Sequence, residues 1–166
     1  MVTILAASTP TQFEDFRVLV RDFVSWAVAT SSPIKGDRPP VFAKLDNELA
    51  NLPGKYSEPD GAIFLAYVDG EIAGCIAGFR SDRRSLEVTR LWVLPKWRGH
   101  GVGDRLVQAL LINAQSAGYK RAVLRSRKDM KAAHKVYQRA GFFDMDGGAY
   151  FPNFGDIEIA MKRNID

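Results

Sequence analysis

Leu91-Trp92-Val93-Leu94-Pro95-Lys96-Trp97-Arg98-Gly99-His100-Gly101-Val102-Gly103 joins a strand pattern to a helical one through three glycines in five positions. Residues 86–94 alternate as a strand and stop at Pro95. From Gly103 to Ala117, Leu106, Val107, Leu110, Leu111 and Ala114 recur at helical spacing, and Gly118 follows as a left-handed stop. The first N–H groups of a helix lack intrahelical acceptors, and its dipole is positive there, so glycines that expose the backbone favour a bound phosphate. Arg98 and His100 add side-chain donors. A P-loop needs Gly-Lys before Ser or Thr, and a dinucleotide fingerprint needs an early strand and a later acid; neither is present. Alone, the stretch reads equally as a structural turn or as a diphosphate cradle of another type.

Working outward, Val2 to Ala7 reads as a strand, and Thr9-Pro10-Thr11-Gln12 supplies an N-cap, a first-turn proline and a capping-box glutamine. Phe13, Phe16, Val20, Phe23, Val24 and Ala27 mark the helix that follows. It ends near Thr30 in the turn Ser31-Ser32-Pro33. After Pro39-Pro40, a second helix is expected from Val41 to Leu52, with Phe42, Leu45, Leu49 and Leu52 on one side. Alternating runs 62–68 and 71–79 flank Asp69-Gly70, a type I′ hairpin signal. In the strand after it, Glu87, Thr89, Leu91 and Val93 are expected to share one face, with Val88, Arg90 and Trp92 on the other. Downstream come a strand at 121–126, a helix over about 130–140 and a last strand through Ile157, Ile159 and Met161. The order β-α-α-β-β-β-α-β-α-β describes one α/β or α+β domain with one parallel crossover.

The chain has 166 residues, 46% hydrophobic and 25% charged, which suits one globular domain and excludes a disordered tail. One cysteine forms no internal disulfide, and no run approaches the roughly 20 apolar residues that span a bilayer. A cytoplasmic protein without a membrane partner is expected. The net charge of +4 is modest and spread out. Arg80, Arg83, Arg84, Arg121, Arg125, Arg127 and Lys128 raise the idea of nucleic-acid binding, but no recognised motif accompanies them, and no nucleic-acid partner is expected.

Tyr137-Gln138-Arg139-Ala140-Gly141-Phe142 lies on the helix after the next strand, which the crossover returns to the carboxyl ends of both strands. In isolation, the hexapeptide reads as a core tyrosine before a glycine cap. Together, Arg98-x-x-Gly101-x-Gly103 after Leu91-x-Val93-x-Pro95, and Ala133-x-x-x-Tyr137-x-x-x-Gly141-Phe142, resemble the acetyl-CoA core of the GNAT superfamily of N-acyltransferases. The likeness extends to a small bacterial-type subgroup through Leu52-Pro53-Gly54-x-Tyr56-x-x-Pro59-x-Gly61, Asp69-Gly70-Glu71-x-x-Gly74-Cys75 and Glu87-x-x-Arg90-Leu91-x-Val93.

The resemblance implies one GNAT-like domain over residues 1–166, with a mostly antiparallel central sheet, a splayed parallel strand pair and helices on both faces. It implies acetyl-CoA as co-substrate and transfer of its acetyl group to a primary amine of a small molecule by direct attack. Leu91, Trp92 and Val93 would pair with the pantetheine arm, and Arg98, Gly99, His100, Gly101, Val102 and Gly103 would take the diphosphate, with Ala133 and Tyr137 beside them. Tyr137 is the expected proton donor. Glu87 is the candidate base, on the ground that its strand parity matches Leu91 and Val93; the alternative is an exposed carboxylate paired with arginine. A non-catalytic acyl-CoA-binding module and a protein or peptide N-acetyltransferase are the other readings, and paired C-terminal strands would make a homodimer.

Met130 stands where many members carry asparagine, so any amide contact to the arm is lost or replaced there. Arg125-Ser126-Arg127-Lys128 replaces an Asp-Thr pair. Those arginines face an acceptor carboxylate, the CoA 3′-phosphate or solvent. His100, His134 and Cys75 make no metal-ligand cluster, and no metal is expected. Cys75 reads as core, and Tyr56, Tyr150 and Phe151 read as packing that could border an acceptor.

Overall fold

The chain folds as β1 (Val2–Ala6), α1 (Pro10–Ser31), α2 (Leu45–Ala50), β2 (Ala62–Val68), β3 (Glu71–Asp82), β4 (Ser85–Val93), α3 (Val102–Ser116), β5 (Arg121–Arg127), α4 (Lys131–Arg139), β6 (Phe143–Met145) and β7 (Glu158–Asn164). The structure is a computed structural model that describes residues 1–31 and 44–166. The expected turn at 32–33, the Pro39-Pro40 breaker and the start of the second helix at 41–43, with Phe42, lie outside the described residues. No helix among those described is long and apolar enough to cross a membrane.

One seven-stranded sheet runs in the order β1-β2-β3-β4-β5-β7-β6, and only β4 and β5 pair in parallel. Asp69 and Gly70 take φ of 49° and 86°, as the hairpin turn requires. Thr9 and Gln12 form the expected capping box, each side chain accepting from the other's backbone N–H. Residues from α3 and α4 cover one face of the sheet, where Leu86, Val88, Leu91, Leu106, Leu110, Leu124 and Met161 are buried together. On the other face Phe16, Leu19 and Val20 of α1 and Leu49 of α2 pack on Leu65, Cys75 and Trp92. Each fully buried leucine contributes about 1.5–3 kcal/mol. The short β6 escaped the sequence pattern because it is an edge of three residues with no buried face, and Ile157, expected in the last strand, is exposed just before it.

The decisive irregularity is in β4. Gly74 pairs with Val93 and Cys75 with Trp92, but Ala77 pairs with Thr89, so Arg90 and Leu91 together oppose Ile76 alone. Arg90 has φ 60°. This bulge resets the alternation: Leu86, Val88, Leu91 and Val93 face α3 and α4, while Glu87 and Trp92 face α1. The expected shared face of Glu87 with Leu91 and Val93 is overturned, because strict alternation does not survive an inserted residue.

Candidate active site at the strand splay

Strands β4 and β5 are paired only over Ser85–Glu87 and Arg121–Val123. Beyond that point they part, and a cavity of about 470 Å³ opens between the end of β4, the turn into α3 and the start of α4. Of the residues expected to bind the cofactor, Leu91, Trp92, Val93, Arg98, Gly99, Gly101, Val102, Gly103 and Ala133 line it. Glu87, His100 and Tyr137 do not. The His100 side chain folds back on its own turn, with Nδ1 3.0 Å from the Arg98 carbonyl oxygen.

The turn is rich in free donors. Gly99 and Gly101 have φ of 80° and 76°, a region disfavoured for other residues, and nothing stands within 4 Å of where a Cβ would project. Gly101 caps α3 without a side-chain bond, and the N–H groups from Gly99 through Asp104 have no acceptor among the described residues. Gly103 serves packing instead, since a Cβ there would stand 3.3 Å from Val136 of α4. At the strand end, the Leu94 N–H bonds to Ala73 O at 2.8 Å on the β3 side. Successive strand amides point to opposite sides, so Val93 turns its N–H and C=O into the splay. Its carbonyl accepts from Arg98 Nε at 3.0 Å.

Arg98, Lys131, Lys135 and Arg139 line the cavity against Asp104 and Asp129, leaving two positive charges in excess. Arg139 holds Asp104 through Nε at 2.9 Å and Nη2 at 3.1 Å. A left-handed glycine turn, unpaired amides and a cationic rim together suit the diphosphate of coenzyme A. Met130 borders the cavity at the N-cap of α4 and makes no side-chain cap bond.

The titratable groups nearest the splay are buried or half-buried. Burial raises the Glu87 carboxyl above the usual range against the lowering charges of Arg125, Lys55 and Arg90. Tyr137 is 5% exposed, with its ring 5.5 Å from that of Phe142. Burial first, and then nearby Cys75, raises its pKa, so the hydroxyl keeps its proton. Cys75 is fully buried, its thiol pushed up to about 12 by burial, and its Sγ–H donates to the Arg90 carbonyl. His134 contacts Ser126 Oγ at 3.2 Å. Among the described residues, no three His, Cys, Asp or Glu side chains gather as a metal site. Tyr56 is buried between Phe16 and Phe79, and the Tyr150 hydroxyl bonds to Ser81 and Asp82.

On the α1 side of the splay, Arg125 donates to Pro152 O at 3.0 Å and lies over the Phe151 ring. Arg127 is clamped by Asp129 through Nε and Nη2, lies 5.0 Å over the Trp26 ring and reaches Thr30 Oγ1 at 3.5 Å. Its Nη1 is out of water and has no hydrogen-bond partner among the described residues. An unmet donor of this kind costs about 1–3 kcal/mol.

Residues 23–142 match the model of the Acetyltransferase (GNAT) family. The chain belongs to that family. An uncharacterised N-acetyltransferase of Schizosaccharomyces pombe is 28% identical over 85% of this chain and 82% of its own length. One from Escherichia coli is 28% identical over 75% and 76%. The PaiA N-acetyltransferase of Thermoplasma acidophilum, solved in complex with coenzyme A, superposes with a TM-score of 0.75 at 16% identity, over 99% of each chain.

In this GNAT chain the sequence reading missed Trp26, Lys131, Lys135 and Arg139 as cavity residues. The helical spacing of α4 could have found the last three, since 131, 135 and 139 fall one turn apart on one side. Trp26 offered no such signal, because its role depends on how α1 crosses the sheet.

Proposed function

We propose that this protein moves an acetyl group from acetyl-CoA to the primary amine of a small molecule, with both reactants bound at once. The run of unpaired amides from Gly99 to Asp104, beside the Val93 N–H in the splay, carries the reading. Acetyl-CoA supplies the activated acyl group. The chain's residues bind, aim and manage protons: the turn amides and Arg98 hold the diphosphate, and Leu91 to Val93 offer a strand edge to the amides of the arm. The Val93 N–H donates to a carbonyl oxygen that gains negative charge. Glu87 accepts the amine's proton through water, and burial makes it a stronger base than an exposed glutamate. Tyr137 holds a proton for the sulfur that must leave as a thiol. Holding two reactants in line removes ~7 kcal/mol or more of a barrier. A cytoplasmic setting belongs to the same reading, since a free thiol such as Cys75 is stable there.

The test is thiol release from acetyl-CoA across amino acids, polyamines, aminoglycosides and peptide N-termini, together with calorimetry. Heat on binding either coenzyme A or acetyl-CoA, and turnover with at least one small amine, are expected. Folded protein that binds neither overturns the reading; binding without turnover on any acceptor makes the chain a non-catalytic acyl-CoA module.

A further inference from the structure

Strand β5 divides its side chains between two environments. Ala122 and Leu124 pack with α3 and α4, and Ser126 contacts His134 of α4, so Val123, Arg125 and Arg127 point to the α1 side. Glu87 faces that side as well and is the β4 neighbour of Val123. Arg127 stands four residues further along, about 13 Å up the strand, level with the open end of the splay. Neither guanidinium is a solvated strand end. Arg125 is committed to Pro152 and Glu158. Arg127 has a side chain only 16% exposed and an Nη1 with no acceptor among the described residues.

We infer that the acceptor is an amine that also carries a carboxylate, which the Nη1 of Arg127 receives beside the Trp26 ring. This rests on the acetyl-transfer reading above and names its substrate class. Asp129 already offsets the charge of Arg127, so a single negative charge fits where a phosphate dianion would meet repulsion from Asp129. A polyamine would meet two arginines instead. Trp26 and Asp129, the two groups that hold the guanidinium, both line the cavity, and Arg127 lies directly behind them. The free amides of the α3 turn belong to a different element from Arg127, so the diphosphate and the carboxylate draw on different donors. Asp129 occupies the Nε and Nη2 side of the guanidinium, so Nη1 would give the carboxylate a single charge-assisted hydrogen bond.

The experiment titrates alanine, leucine, methionine, phenylalanine and aspartate, each beside its α-carboxamide, into protein saturated with coenzyme A. At least one acid is expected to bind about tenfold or more tightly than its amide. Arg127→Gln should erase that ratio and leave coenzyme A affinity unchanged. Arg127→Lys, which keeps the charge and supports folding if the glutamine variant melts early, should retain only part of it. Equal binding of every acid and amide by the native chain overturns the inference, as does a ratio that survives both variants or a panel that does not bind at all. Loss of coenzyme A affinity in folded Arg127→Gln also overturns it, by assigning the residue to the nucleotide. Arg127-dependent binding without turnover would overturn the enzyme reading and with it the acceptor role, leaving Arg127 as a carboxylate-binding residue only.

Discussion

Half-buried Glu87 and buried Tyr137 both have pKa values raised by burial, with opposite consequences. The raised tyrosine stays a donor throughout the neutral range, while the raised glutamate gains its proton at a higher pH than an exposed carboxyl. Activity that needs the Glu87 carboxylate therefore falls as pH drops through that elevated value. Glu87→Gln is expected to lower kcat by about 10²–10⁴ and flatten the acid limb of the pH profile; an acid limb that persists in the variant assigns the base elsewhere. The same shift has a stability sign. The folded chain binds this proton more tightly than the unfolded one, so the native glutamate loses stability as pH rises from its ordinary value through its raised one. Glu87→Gln should thus melt slightly higher than the native protein at neutral pH while being less active. Tyr137→Phe should cut kcat by about tenfold or more with acetyl-CoA affinity intact, and should hardly move Tm, because no described residue hydrogen-bonds its hydroxyl. The position of Tyr137 on its helix was legible from spacing, since helical period and a glycine stop define it. The face of Glu87 was not: one extra residue at Arg90 inverts everything before it relative to everything after.

At the scale of elements, that bulge is held from outside the sheet. Arg90 is left-handed without being glycine, and its Nε and Nη2 donate to the two carboxylate oxygens of Glu48 on α2 at 3.1 and 3.0 Å. Burial alone would raise the Glu48 pKa, but the Arg90 hydrogen bond and charge, with Lys55, outweigh it and hold the carboxyl below its ordinary value. Its contribution is present above that ordinary value and is lost as pH falls through the lowered one. Glu48→Ala leaves a buried guanidinium unpaired and is expected to cost about 3–5 kcal/mol in urea unfolding. A loss within 0.5 kcal/mol would mean that β3 alone fixes the bulge. Helix α2 itself was foreseen, yet its carboxylate meets an arginine 42 positions away, a contact no local pattern encodes. The backbone of the α3 turn was legible because it is local: the glycines, the proline before them and the helix after them all lie within one stretch, although the folding back of His100 was not.

Across the whole molecule, the free amides of the turn into α3, Lys131, Lys135 and Tyr137 lie on the α3 and α4 side of the sheet, while Glu87, Arg125 and Arg127 lie on the α1 side, and the two sides meet at the splay. The net charge of +4 gave little hint of this, because the useful cations come together only after folding. Electrostatic attraction at a solvent-facing rim is screened beyond about 10 Å at 0.1 M salt, so acetyl-CoA affinity should weaken several-fold between 0.05 and 0.5 M sodium chloride; a flat response would place the binding energy in buried hydrogen bonds alone. The three tryptophans of the chain, Trp26, Trp92 and Trp97, all border the same cavity. Trp26 and Trp92 lie 5.5 Å apart, with Arg127 over the first and Arg98 over the second. Indole emission from this protein consequently arises only from rings at the cavity wall, so its ultraviolet fluorescence is a label-free optical gauge of what occupies that wall, with no competing signal from the rest of the chain.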